Sequence, residues 1–158
     1  MKKILAISGS LRSGSKNTLI LHAINNHFAG RVKMELFDGL ADLPHFNPDI
    51  EMDNIESVKQ YRNSLKHADY VLISTPEYAH GIPGSLKNAL DWVVGSGELI
   101  DKKVGLLFSS SSEALFVQEQ LIEVIRTMSA KIDRSVCLKI SGAELTPEII
   151  SLIETLIS

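Results

Sequence analysis

Five short apolar runs alternate along the chain with five longer segments in which apolar residues recur every three or four positions. The short runs are rich in Val, Ile and Leu, which predicts parallel strands covered on both faces, over Ile4–Ser8, Val32–Phe37, Tyr70–Ser74, Val104–Ser109 and Arg134–Ile140. The longer segments predict helices over Ser15–Ala29, Ile55–His67, Ser85–Val94, Glu113–Met128 and Pro147–Ile157. This alternation predicts an α/β fold, a three-layer sandwich around a five-stranded parallel sheet.

Two polar loops follow the first and the third predicted strand, at residues 8–18 and 75–84. In a doubly wound sheet of strand order 2-1-3-4-5, these two strands are neighbours at the point where the winding reverses. Ligands of such sheets bind in the crevice beyond the carboxyl ends of the strands at that point. We therefore expect the two loops to lie side by side and to form the functional site.

The first loop has the composition of an anion site, because hydroxyl, amide and guanidinium groups gather where a helix begins: Ser10, Arg12, Ser13, Ser15, Asn17 and Thr18. Unpaired N–H groups and the helix dipole favour an anion there. The loop is not a Walker A motif, because Ser15 stands in the place of the motif's lysine. It is not a dinucleotide-binding fingerprint either, because Leu11 stands in the place of a glycine. The loop favours a single terminal phosphate, and a Ser/Gly-rich turn with a good N-cap is the alternative.

The second loop combines a stiff backbone with an aromatic face. Pro76 and Pro83 restrict the chain, while Gly81 and Gly84 allow close approach. Tyr78 offers an aromatic surface, and the backbone N–H groups of the loop could bind the polar edge of a ring. The loop therefore suits a flat ring system, and a rigid turn into the next helix is the alternative.

Composition narrows the class of protein. The 158 residues, 44% of them hydrophobic and 22% charged, fit one globular domain over residues 1–158. A formal net charge of -3 gives no reason to expect nucleic acid or a membrane surface as a partner. The single cysteine, Cys137, excludes an internal disulfide and fits a reducing compartment, so we expect a cytoplasmic protein. The five histidines show no metal-ligand spacing.

The motifs of both loops resemble those of the NAD(P)H-dependent FMN reductase family, which has a flavodoxin-like fold and is related to quinone, chromate and azo reductases. Its phosphate motif is similar to Gly9-Ser10-Leu11-Arg12-x-x-Ser15-x-Asn17. Its loop after strand 2 is similar to Leu43-Pro-x-Phe-Asn-Pro-Asp49. Its flavin-ring loop and following helix are similar to Thr75-Pro-Glu-Tyr78, Ile82-Pro-Gly84 and Leu86-Lys-Asn-Ala-Leu-Asp-Trp92.

The resemblance implies an oxidoreductase that holds FMN, takes hydride from NADPH or NADH and reduces a flavin, a quinone or a similar small acceptor. The phosphate would be held by Ser10, Arg12, Ser15, Lys16, Asn17 and Thr18. The isoalloxazine ring would be bordered by Pro76, Glu77, Tyr78, Ala79, His80, Gly81 and Ser110, with His80 at its open face. Because the flavin carries the chemistry, no catalytic side chain and no metal are expected.

Two departures from the family pattern leave other functions open. Ala79 stands where the family often has Asn, and Ser109–Ser112 stand where it often has a glycine-rich loop. A flavin-bound electron carrier and a catalytically weak regulatory protein of the same fold are therefore the alternatives.

The composition of the third predicted helix indicates that the protein forms an oligomer. The helix carries more apolar residues than one stripe against the sheet requires, namely Leu86, Leu90, Trp92, Val93 and Val94. A surplus of this kind marks an interface, so we expect a homodimer or homotetramer.

Overall fold

The structure is a computed structural model, and it describes residues 1–51, 54–109, 115–132 and 134–158. Ser110, predicted to border the ring, lies outside the described residues, as do Ser111, Ser112 and Glu113. None of the helices in the described part of the chain has the length and apolar character needed to cross a membrane.

The sheet has the predicted order, β2-β1-β3-β4-β5, with every neighbouring pair parallel. Its strands are β1 (Lys2–Ser8), β2 (Val32–Phe37), β3 (Tyr70–Pro76), β4 (Lys103–Ser109) and β5 (Cys137–Ile140). The central strand β3 is buried at all of its 7 residues, which explains its continuous apolar run. The strand order confirms that β1 and β3 are neighbours at the reversal of the winding.

Helices cover both faces of the sheet and give the predicted three layers. They are α1 (Lys16–His27), α2 (Glu56–His67), α3 (Gly84–Asp91), α4 (Leu115–Thr127) and α5 (Pro147–Ile157). The buried side chains of α2, α3 and α4 form one apolar cluster with the sheet. Those of α1 and α5 form a second cluster on the opposite face.

Two predicted elements are too long. The fifth strand starts at Cys137, because residues 134–136 form a 3₁₀ turn and only residues 137–140 pair with β4. Helix α3 ends at Asp91, and the guanidinium of Arg62 donates to the carbonyl of Trp92 at 2.6 Å. A side chain from α2 therefore satisfies a carbonyl that a longer helix would have bonded internally.

The apolar surplus predicted for the third helix does not form an interface, because most of these residues, in α3 and just after it, are covered within a single chain. Four of the five are at most 1% exposed: Leu86, Leu90, Trp92 and Val93. The loop after β2 covers Trp92, since Trp92 Nε1 donates to the carbonyl of Pro44 at 2.8 Å and the Phe46 ring meets the indole edge-on at 5.2 Å. Only Val94, 55% exposed, remains on the surface.

Helix α5 begins with a side-chain cap. The Thr146 hydroxyl accepts a hydrogen bond from the N–H of Ile149, and Pro147 occupies the first turn. A hydrogen bond with Thr146 also lowers the pKa of the Glu148 carboxyl. This cap lies in the loop after the edge strand β5.

The chain after β3 makes a tight turn whose backbone conformation is unfavourable for the two residues at its centre. Tyr78 and Gly81 exchange two backbone hydrogen bonds of 3.1 and 2.9 Å. The two residues between them, Ala79 and His80, have φ of 48° and 59°. This is the type I′ pattern, which favours Asn and Gly because other residues crowd their own backbone at positive φ. The structure thus explains why Asn suits position 79 better than Ala.

We predict that Ala79→Asn raises the free energy of unfolding by about 0.5–1 kcal/mol, because Asn tolerates positive φ better than Ala. Denaturant unfolding of both proteins measures the difference. Ala41→Asn is the matched control, since Ala41 is also exposed but lies in the 3₁₀ turn Gly39–Asp42 at ordinary φ. An equal gain at both positions, or none at position 79, would contradict the prediction.

Candidate functional site

The two polar loops meet at the carboxyl ends of β1 and β3. The N–H of Gly9 donates to the carbonyl of Ser74 at 2.8 Å. A Cβ atom at Gly9 would lie 2.3 Å from the hydroxyl oxygen of Thr75, so no other residue fits there without displacing β3. Glycine is thus required at this crossing, and it brings the loops together as the strand order predicts.

A buried amide joins α1 to the ends of two strands. Asn17, in the first turn of α1, is 2% exposed, and Ser74 in β3 is fully buried. The Asn17 amide donates to the Ser109 hydroxyl of β4 at 2.8 Å, and its carbonyl oxygen accepts from the Ser74 hydroxyl at 3.0 Å. These bonds fix the start of α1 against the sheet, because breaking one would leave a buried polar group unpaired.

Hydroxyl groups shape the first loop from within. Ser15 caps α1 by accepting from the N–H of Asn17 at 3.2 Å, and its own N–H donates to the carbonyl of Arg12. The Ser10 hydroxyl accepts from the N–H of Arg12 at 3.3 Å. The Thr18 hydroxyl donates to that of Ser8 at 2.9 Å. The loop is therefore folded by its own polar side chains.

The loop also presents donors that no described residue accepts from. The backbone N–H groups of Ser13, Gly14, Lys16 and Thr18 have no acceptor among the described residues. Arg12 is exposed, and its guanidinium forms no ion pair within the same part of the chain. Together they make a positively polarised surface at the start of α1, the arrangement that binds phosphate.

A concavity of about 440 Å³ opens beside this surface. The loop lines one wall of it with Ser10, Arg12, Ser13 and Thr18. The end of β2 and the turn after it line the other wall with Leu36, Phe37, Asp38 and Leu40. The lining residues come from the first loop, α1 and the chain at the end of β2, so this space adjoins the phosphate surface on the β2 side.

The predicted phosphate residues do not all face this space. Ser10, Arg12 and Thr18 line it. The Lys16 ammonium instead donates to the carbonyl of Ser141 at 3.3 Å, in the loop after β5. The Asn17 amide is used by Ser74 and Ser109, so its contacts favour a positioning role over direct phosphate binding.

The second loop leaves Tyr78 available to a ring, whereas the N–H groups of Glu77, Tyr78 and Gly81 are bonded within the chain. Pro76 is buried at the end of β3, and Tyr78 is 54% exposed. The Glu77 side chain, predicted to border the ring, is only 4% exposed and accepts from the N–H of Val117 in α4 at 3.1 Å. The His80 side chain is 68% exposed, and its ring packs on Phe116 at 4.6 Å.

Three residues that organise the site are not predicted from the sequence: Ser74, Phe116 and Gln120. Ser74 had a signal, because it and Thr75 are polar residues at the end of an otherwise apolar strand. The two residues of α4 had none, since they meet the second loop across about 40 positions of sequence. Within the described residues, no cluster of three metal-ligating side chains occurs.

The sequence is similar to known flavin reductases. A family model described as NADPH-dependent FMN reductase matches residues 2–144. The NADH-dependent flavin reductase subunit 2 of Lactobacillus johnsonii is 29% identical over 130 residues, which are 78% of this chain and 69% of that protein. The NAD(P)H-dependent FMN reductase of Pseudomonas aeruginosa is 38% identical over 91 residues, 57% of this chain and 49% of that protein. The chain thus spans from half to two thirds of their length.

Solved structures agree with this. The NAD(P)H:acceptor oxidoreductase FerB of Paracoccus denitrificans superposes with a TM-score of 0.77 at 30% identity, over 84% of this chain and 75% of that one. An archaeal flavodoxin at 15% identity has a TM-score of 0.65, which confirms the flavodoxin-like fold. The match of the family model covers nearly the whole sequence and confirms the resemblance that the two loops indicated. This chain belongs to the NADPH-dependent FMN reductase family.

Proposed function

We propose that the protein is an FMN-dependent oxidoreductase that takes hydride from NADH or NADPH and reduces a flavin, a quinone or a similar small acceptor. The observation that supports this most is the loop at residues 8–18, where unused N–H groups and Arg12 converge beside a concavity. Membership of the FMN reductase family favours this function over an electron carrier without turnover.

The described residues fit FMN at its phosphate end. Ser10, Arg12, Ser13 and Thr18 would surround the phosphate, with the N–H groups at the start of α1 as further donors. No carboxylate pairs with Arg12 in the described part of the chain, so its charge is available. The buried Asn17 would hold α1 so that these donors keep their directions.

The second loop would border the ring. The N–H groups of Ala79 and His80, which have no acceptor among the described residues, would meet the polar edge, and the side chains of Tyr78 and His80 would lie beside the open face. Both side chains are more than half exposed, as is Phe116 against His80. They form an aromatic surface on which a nicotinamide or a flat acceptor could stack.

The chemistry needs little from the side chains. When bound, FMN supplies hydride acceptance from the nicotinamide and two-electron reduction of the acceptor. The protein's part is to bind the phosphate through Arg12, to hold the ring between the two loops and to leave one face open. The proposal therefore assigns no general acid or base.

The assembly and location of the protein are proposals too. We propose one domain over residues 1–158 and a homodimer or homotetramer in the cytoplasm. The single cysteine supports a reducing compartment. Two apolar side chains outside the proposed flavin site, Val94 and Ile100, are 55% and 56% exposed and support an interface.

Anaerobic reduction tests the activity. We expect the protein to bind FMN and become yellow. NADH or NADPH should then bleach the colour under anaerobic conditions, and the colour should return when a quinone is added. An electron carrier would bind FMN and stay yellow with either nicotinamide. Absence of FMN binding would contradict the proposal altogether.

We predict that Arg12→Ala weakens FMN binding by about 1.5–3 kcal/mol, roughly 10- to 150-fold in Kd, because a hydrogen bond to a charged phosphate is lost. Riboflavin, which has no phosphate, should bind both proteins equally. Arg31→Ala is the control, since Arg31 is an exposed arginine that pairs with Glu154 instead. Equal FMN affinity in Arg12→Ala and the parent would remove Arg12 from the phosphate site.

A further inference from the structure

Glu77 is a buried carboxylate for which the proposed chemistry has no use. Its side chain is 4% exposed, and burying a charged group is unfavourable unless the structure compensates it. Compensation comes from the N–H of Val117, which donates to Oε2 at 3.1 Å. Val117 lies in the first turn of α4, where N–H groups have no acceptor within the helix and the helix dipole favours an anion.

Two more contacts join the same loop to the first two turns of α4. The carbonyl of His80 accepts from the Gln120 side chain at 3.1 Å, and the His80 ring meets the Phe116 ring edge-on. Oε1 of Glu77 lies 3.9 Å from Nδ1 of His80. The first two turns of α4 thus hold both ends of the segment 77–80.

That segment contains the strained turn. Ala79 and His80 are non-glycine residues at positive φ, a strained conformation that persists only where surrounding contacts impose it. The backbone N–H of Glu77 also donates to the carbonyl of Ser109 at 3.2 Å, so the loop leaves the sheet in a fixed direction. A buried charge and a strained turn therefore occur together in four successive residues, 77–80.

We propose that Glu77 is a positioning residue of the flavin site. Its carboxylate fastens the loop 77–81 to the start of α4 and so holds the 79–80 turn in the conformation that places the loop against the ring. This rests on the proposed function for the identity of the ligand. The fastening itself is a property of the protein without ligand, because every contact named is made within the chain.

The test compares Glu77→Ala with Glu77→Gln, which keeps a side-chain oxygen that can accept from Val117. We expect Glu77→Ala to raise the Kd for FMN at least tenfold and to change the visible circular dichroism of the bound flavin. Glu77→Gln should stay within about threefold of the parent and keep its spectrum. Thr146→Ala is the matched control, since it removes a helix cap of the same kind at α5; it should lower stability and leave the Kd for FMN unchanged.

A milder variant covers the case in which Glu77→Ala does not fold. Gln120 is exposed, so Gln120→Ala removes the contact to the His80 carbonyl without disturbing the core. We expect it to raise the Kd for FMN about threefold. Gln60→Ala, which removes an exposed glutamine bonded to Glu56 on α2, should have no effect.

Amide hydrogen exchange without flavin separates this proposal from the proposed function. The N–H groups of Tyr78 and Gly81 are bonded to each other's carbonyls only while the turn is formed. Their exchange should be at least tenfold faster in Glu77→Ala than in the parent, and unchanged in Thr146→Ala. A parent that binds no FMN would contradict the function alone. Unchanged exchange, or a Glu77→Ala variant that binds FMN like the parent, would overturn the role of Glu77.

Discussion

The buried amide of Asn17 is the interaction on which the site depends. It joins α1, β3 and β4 at the point where the winding of the sheet reverses, through the hydroxyls of Ser74 and Ser109. The described residues that are both buried and polar gather at this end of the sheet: Ser10, Ser15, Asn17, Ser74 and Thr75. The other buried residues are mostly apolar, so buried polar side chains are concentrated where they build the loops.

The second loop is also fixed by a buried polar side chain, here a carboxylate in place of an amide. Glu77 reaches the start of α4 and meets N–H groups that the helix itself cannot satisfy. Each loop is therefore set by a side chain that bonds to an element distant in sequence. The groups left over, the N–H groups of the first loop and the aromatic faces of Tyr78 and Phe116, are the ones available to ligands.

The fold was predictable because strict alternation of strands and helices leaves few topologies, and the two polar loops marked the reversal of the winding. The anion-binding character of the first loop was also predictable, since hydroxyls and an arginine at the start of a helix commonly bind phosphate. The directions of Lys16, Asn17 and Glu77 were not, because each is decided by a partner on another element. The cover over α3 was missed for the same reason, since Trp92 bonds to a loop 48 residues earlier.

A comparison of Asn17→Ala, Ser74→Ala and the double variant tests most directly whether the buried amide positions the phosphate loop. Ser74 is buried in β3 and lines no part of the concavity, and its hydroxyl donates to Asn17, so we expect loss of that hydroxyl to affect FMN through Asn17. We expect each single change to raise the Kd for FMN about tenfold, close to 1.4 kcal/mol, and the double change to add little to either. If Asn17 bound the phosphate directly, Asn17→Ala would lose affinity while Ser74→Ala bound FMN like the parent, and that result would contradict the positioning role.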